Sequence, residues 1–146
     1  MPILIGLFVA GCGGNSGGGS GQSHQLSREA WIAKADRICR SYADKTNISA
    51  HPHSYSDVAR LANKEETAVS NAHRELRALG LPSSDGQAVR AWLRQFTRLE
   101  GDLKDMRDSA KASNADGVKA AAARGVRDSE SAQQAARDLG MKDCGH

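Results

Sequence analysis

Residues 88–106 read AVRAWLRQFTRLEGDLKDM, and within them Ala88, Trp92, Phe96, Leu99, Leu103 and Met106 recur at steps of 4, 4, 3, 4 and 3. That spacing puts all six on one stripe of a 3.6-residue helix and is incompatible with the two-residue alternation of a half-buried strand. Ser83, Ser84 and Asp85 supply capping side chains in front of the stripe, while Gly80 and Leu81-Pro82 stop whatever helix precedes it.

Upstream, Val58, Leu61, Ala68, Ala72, Leu76 and Leu79 form a second stripe, with Ser56 or Asp57 as its expected cap. Further upstream again, Trp31, Ala35, Ile38 and Tyr42 step by 4, 3 and 4 behind a Ser27 cap, and Glu29 places an acid where the helix dipole favours it. This helix is expected to fade near Thr46-Asn47. Downstream, a fourth helix is expected from the Asn114 to Asp116 region to Leu139, with Val118, Ala122, Val126, Ala132, Ala136 and Leu139 inward and Gly140 as its stop. Short connections make consecutive helices antiparallel neighbours, so the fold class is all-α, an antiparallel up-down four-helix bundle. Trp31 and Trp92, each on its helix's apolar stripe, are expected to meet in the core.

The core is expected to be thin. Hydrophobic residues make up 39% of the 146-residue chain and aromatics 4%, and the fourth stripe is mostly alanine, whose burial stabilises far less than the ~1.5–3 kcal/mol of a buried Leu or Phe. The 20 basic and 17 acidic residues are scattered along the sequence, giving a net charge of +3 without the basic run that would neutralise a row of phosphates. The reading is therefore no nucleic acid, with charges on solvated helix faces.

Outside the helices the chain opens on Ile3-Leu4-Ile5-Gly6-Leu7-Phe8-Val9-Ala10, followed by Gly11 and Cys12. This run falls far short of the ~20 apolar residues that span a bilayer and suits a signal-peptide core. Val9-Ala10-Gly11-Cys12 resembles the lipobox of bacterial lipoproteins. The resemblance implies cleavage before Cys12, diacylglyceryl on its thiol, and anchoring on the extracytoplasmic face of the cell membrane. Only Met1 and Pro2 precede the apolar run, where a signal peptide carries positive charge, so translation is expected to start further upstream. The organisation expected is signal peptide 1–11, Gly/Ser-rich tether 12–26 and helical domain 27–146. The tether composition is that of a flexible coil. Gly14-Asn15-Ser16-Gly17-Gly18 matches the spelling of a nucleophile elbow but lacks the strand before it and the helix after it.

With Cys12 assigned to lipid, Cys39 and Cys144 remain as an even pair in an exported, oxidising setting, which favours a disulfide closing the bundle. The alternatives are a buried free thiol at Cys39 and an exposed one at Cys144. Ala35-Asp36-Arg37-Ile38-Cys39 and the tail Leu139-Gly140-Met141-Lys142-Asp143-Cys144-Gly145 resemble small actinobacterial lipoproteins that share a Gly-Cys-Gly-Gly start. That resemblance implies a lipid-anchored, disulfide-closed helical domain and no particular reaction.

For chemistry, His51-Pro52-His53 is the strongest metal candidate, with His24, His73 or His146 as a third ligand, but one His-x-His without a second paired spacing favours a solvated loop. Asp102 and Asp105 are read as part of an exposed face. No H-E-x-x-H, phosphate loop or triad is spelled out, so no catalytic residue, metal or cofactor is assigned. The functional expectation is a non-enzymatic envelope module that contacts another envelope protein or the cell wall. The alternative is a small-ligand or metal-binding lipoprotein using the loop histidines.

Overall fold

A computed structural model of the chain describes residues 25–46 and 52–146. Four helices follow one another: α1 (Arg28–Thr46), α2 (Tyr55–Ala78), α3 (Gly86–Lys111) and α4 (Ala115–Asp138), then a single 3-10 turn at Asp143–Gly145. They form an antiparallel up-down four-helix bundle, closed by the disulfide between Cys39 and Cys144.

Local chemistry sets the helix ends. Ser27 Oγ accepts the Ala30 N–H at 3.2 Å, and Asn114 Oδ1 accepts the Gly117 N–H at 3.0 Å. α2 begins two to three residues earlier than expected, because Ser54 rather than Ser56 or Asp57 is the cap: its Oγ takes the Asp57 N–H at 3.1 Å. Asp85 precedes α3 but does not cap it with its side chain, which accepts from Arg28 Nε at 2.6 Å instead. Gly80 and Gly140 follow α2 and α4 at φ of 69° and 83°, left-handed conformations that turn the chain sharply and that a side chain would strain.

α3 is the central element, packed along both α2 and α4, while α1 lies on α2 and on the C-terminal turn. α1 reaches the other helices through side chains. Trp31 and Trp92 are fully buried and meet edge to face with ring centroids 6.1 Å apart. Both indoles are satisfied, Trp31 Nε1 donating to Gly80 O at 2.9 Å and Trp92 Nε1 to Ala132 O at 3.1 Å. Ala35, Leu76, Val89, Ala136, Leu139 and Met141 complete this cluster. Arg28, in the first turn of α1, donates to Leu139 O at 2.8 Å, so α4 finishes beside the start of α1.

Central placement widens the buried arc of α3. Val89, Asp102 and Ala110 are buried alongside Trp92, whereas Ala88, expected inward, is exposed. On α4 the expected stripe holds at Ala132, Ala136 and Leu139 but not at Val126, which is 59% exposed; Ala121 is buried instead. Asp102 is also not on an exposed face: Arg124 Nε donates to its Oδ1 at 2.8 Å and Arg124 Nη2 to exposed Asp105 at 2.7 Å, bracing α3 against α4. The cost is one buried oxygen, Asp102 Oδ2, without a hydrogen-bond partner.

Candidate functional site

The C-terminal tail is locked onto α1 by a carboxylate and a disulfide acting together. Asp36, buried on α1, accepts the backbone N–H of Lys142 at 3.0 Å, of Asp143 at 2.9 Å and of Cys144 at 3.2 Å. Three successive amides converging on one carboxylate impose the tight 3-10 turn and carry Cys144 to Cys39, one helical turn beyond Asp36, with the two Cα atoms 5.2 Å apart. Arg40 pairs with Asp143 and holds its carboxyl below the ordinary carboxylate range. Arg137 Nη1 donates to Gly145 O at 2.6 Å from the α4 side. The tail thus spans the seam between α1 and α4, whose backbones stay apart.

Below this clasp the seam opens into a groove of about 220 Å³. Its floor is Trp92, Phe96 and Leu99 of α3, one wall is Ala68, Val69 and Ala72 of α2, and the disulfide closes one end. Small side chains on the walls keep the aromatic floor reachable, since alanine cannot fill the width between helices. Polar groups stand at the rim: Tyr42, whose hydroxyl donates to Glu75 at 2.6 Å, with Ser129, Gln133 and His146. The hydrogen bond to Glu75 raises the Tyr42 pKa further above 10, so the phenol stays protonated at neutral pH. The groove offers an apolar bed with Tyr42, Ser129 and Gln133 as neutral donors and acceptors and the Asp143 carboxylate beside the disulfide, an arrangement suited to holding a group.

The sequence candidates distribute as follows. Cys39 and Cys144 are joined. Cys12, the tether, His24 and His51 lie outside the described residues. His53 is exposed just ahead of the Ser54 cap, and His146 sits at the groove rim. His73 is on α2, stacked on Phe96 at 5.5 Å with Nδ1 3.0 Å from Glu100 Oε1, so it braces α2 against α3. Among the described residues no three His, Cys, Asp or Glu side chains come together as a metal site.

Asp36, the carboxylate that holds the tail, lies off the expected stripe of α1. Its only signal was its place in Ala-Asp-x-Ile-Cys, one turn before a cysteine, where a carboxylate and a disulfide reach the same tail. No family model, curated protein or solved structure matches the chain.

Proposed function

We propose that this protein is a lipid-anchored, extracytoplasmic interaction module, tethered to the cell membrane through Cys12, that binds another envelope protein or the cell wall and catalyses no reaction. One observation carries the reading: Cys39 and Cys144 are paired with each other, a bond that persists in oxidising compartments outside the cytosol. That pairing leaves Cys12, directly behind an apolar run and small residues, as the chain's one cysteine outside the disulfide. No helix among the described residues is long and apolar enough to cross a membrane, so a lipid on Cys12 would supply the attachment that the bundle does not. The apolar groove beneath the clasp supports the binding half of the reading.

Fractionation of cells expressing the full chain tests it. The expected result is that the protein sediments with membranes and takes up labelled fatty acid, and that Cys12→Ser abolishes the labelling. Photo-crosslinkers placed at Ser129 and Gln133, at the groove rim, should capture a discrete envelope component. A Cys12→Ser protein that takes up label as before, or crosslinking no stronger than from exposed Lys119, would contradict it.

A further inference from the structure

Charges scattered along the sequence are gathered by the fold. Along the outer seam between α2 and α3, antiparallel packing sets Arg77, in the last turn of α2, beside Arg90 and Arg94 of α3. With His73 and Thr97 they line a groove of about 290 Å³. It continues past Arg74 and Ser70 into a second hollow of about 670 Å³ that shares His73, Arg77 and Thr97. The one carboxylate lining it, Glu100, is engaged by His73 at 3.0 Å, and Arg74 donates to Asn71.

The side chains of Arg77, Arg90 and Arg94 are exposed and have no ion pair or hydrogen bond among the described residues. Elsewhere arginines are matched: Arg28, Arg40, Arg60, Arg107 and Arg124 each pair with a carboxylate. Arg98 and Arg137 bond neutral oxygens. Of the remaining arginines only Arg37 and Arg127 are likewise unmatched, and they stand on α1 and α4 outside this groove. Three guanidinium groups without a carboxylate partner line one hollow, and their like charges favour an anion between them.

We propose that this groove is a binding site for a phosphate group, with Arg77, Arg90 and Arg94 supplying the donor forks. Guanidinium matches the geometry of phosphate oxygens with paired N–H donors, and neutral Thr97 in the lining can add a hydroxyl. Three forks suit one or two phosphate groups and fall short of the 6–10 contacts, roughly, typical of duplex nucleic-acid binders. The position of the groove favours the headgroup of an anionic phospholipid as the source. The Ser83 N–H donates to Leu26 O at 2.9 Å, so the chain enters the bundle at the α2–α3 turn. Arg94 lies eight residues into α3 from Gly86, ~12 Å down the axis from that end. Leu26 follows Cys12 by 14 positions, so an anchored Cys12 lies within ~50 Å of it at full chain extension. The headgroup source rests on the anchoring proposed above, whereas the phosphate site does not.

The test uses the full chain with Cys12→Ser, so that no lipid contributes, in two arms. Co-sedimentation compares vesicles of pure phosphatidylcholine with vesicles containing phosphatidylglycerol; the apolar run at residues 3–10 meets both, and their ratio isolates charge. At roughly fivefold per cation near an anionic surface, Arg77→Gln/Arg90→Gln/Arg94→Gln should lower the preference for phosphatidylglycerol by up to ~100-fold. The control Arg37→Gln/Lys119→Gln/Arg127→Gln, with the same net charge, should keep most of it. In the second arm inorganic phosphate is titrated while the Nε–H signals of Arg77, Arg90 and Arg94 are followed by NMR. Loss of the preference in the groove variant alone supports the site with a lipid headgroup as source. Saturable shifts of those three signals without a vesicle preference support it with a soluble phosphate as source. An equal loss in the control, or no response in either arm, overturns it. Absence of lipid on Cys12 in cells would leave each of these outcomes as it is.

Discussion

Replacing Asp36 with alanine removes the acceptor on which three amides of the tail converge, those of Lys142, Asp143 and Cys144 at 2.9–3.2 Å. Hydrogen bonds to a charged group contribute about 1.5–3 kcal/mol each when the partner is left buried and unsatisfied. The tail is half-exposed and water takes up part of the loss, so about 1 kcal/mol per amide is the appropriate scale, or about 3 kcal/mol together. Against the ~5–15 kcal/mol of a domain this size, that is a large share. At about 4 °C per kcal/mol for a domain of this length, the melting midpoint of Asp36→Ala should fall by ~12 °C. Asp36→Asn keeps one acceptor oxygen and should lose about half as much. The disulfide holds the same tail and limits how far it strays in the variant. Under reductant the covalent restraint is gone, and Asp36→Ala should then cost more than it does in the oxidised protein, a coupling readable as a double cycle. Calorimetry or circular dichroism melts of the four states supply the numbers. Midpoints within 2 °C of the parent in both redox states would refute the account of the clasp.

Other consequences follow from the same geometry. Reducing Cys39–Cys144, which closes a loop with a sequence separation of 105, should cost about 4–5 kcal/mol in the chain-entropy picture and lower the midpoint by ~15–20 °C; an unchanged melt in dithiothreitol contradicts this. Gly101→Ala sits mid-helix with nothing within 4 Å of the added Cβ and should stabilise by about 0.5–1 kcal/mol. Gly117→Ala meets Ser109 Oγ at 2.5 Å and Ser109 Cβ at 2.9 Å and should destabilise; denaturant midpoints of the pair decide. Glu65 is half-buried on α2, and burial raises its pKa above the ordinary 4.5. A carboxyl with a raised folded pKa loses stability for the fold as pH climbs from its unfolded toward its folded value. Glu65→Gln should therefore raise the midpoint at pH 7 and bring no gain below about pH 4, where the parent is protonated in both states; an equal gain at both pH values would contradict the cause given.

Much of the architecture is legible in the chain. The stripes at Trp31, Ala35 and at Trp92, Phe96 encode helices because their spacing admits one buried face, and Gly80 and Gly140 mark two ends because only a left-handed residue turns the chain there. What escaped reading depends on three dimensions. Periodicity alone does not reveal that α3 is flanked on two sides, so it misses Val89 and Asp102 as buried positions and mistakes Val126 for an inward one. Asp85 spells a cap, yet Arg28, 57 residues away, takes its carboxylate. Arg77 and the pair Arg90 and Arg94 look like ordinary solvated charges until antiparallel packing sets them around one hollow. Asp36 likewise acquires its role from a tail more than a hundred residues further along the chain.

Anchoring through Cys12 is the central claim, and the mass of the N-terminal peptide of protein extracted from membranes tests it most directly. The account predicts a peptide that begins at Cys12 and carries a diacylglyceryl group on its thioether. An unmodified Cys12 inside a peptide that still contains residues 1–11 would contradict it.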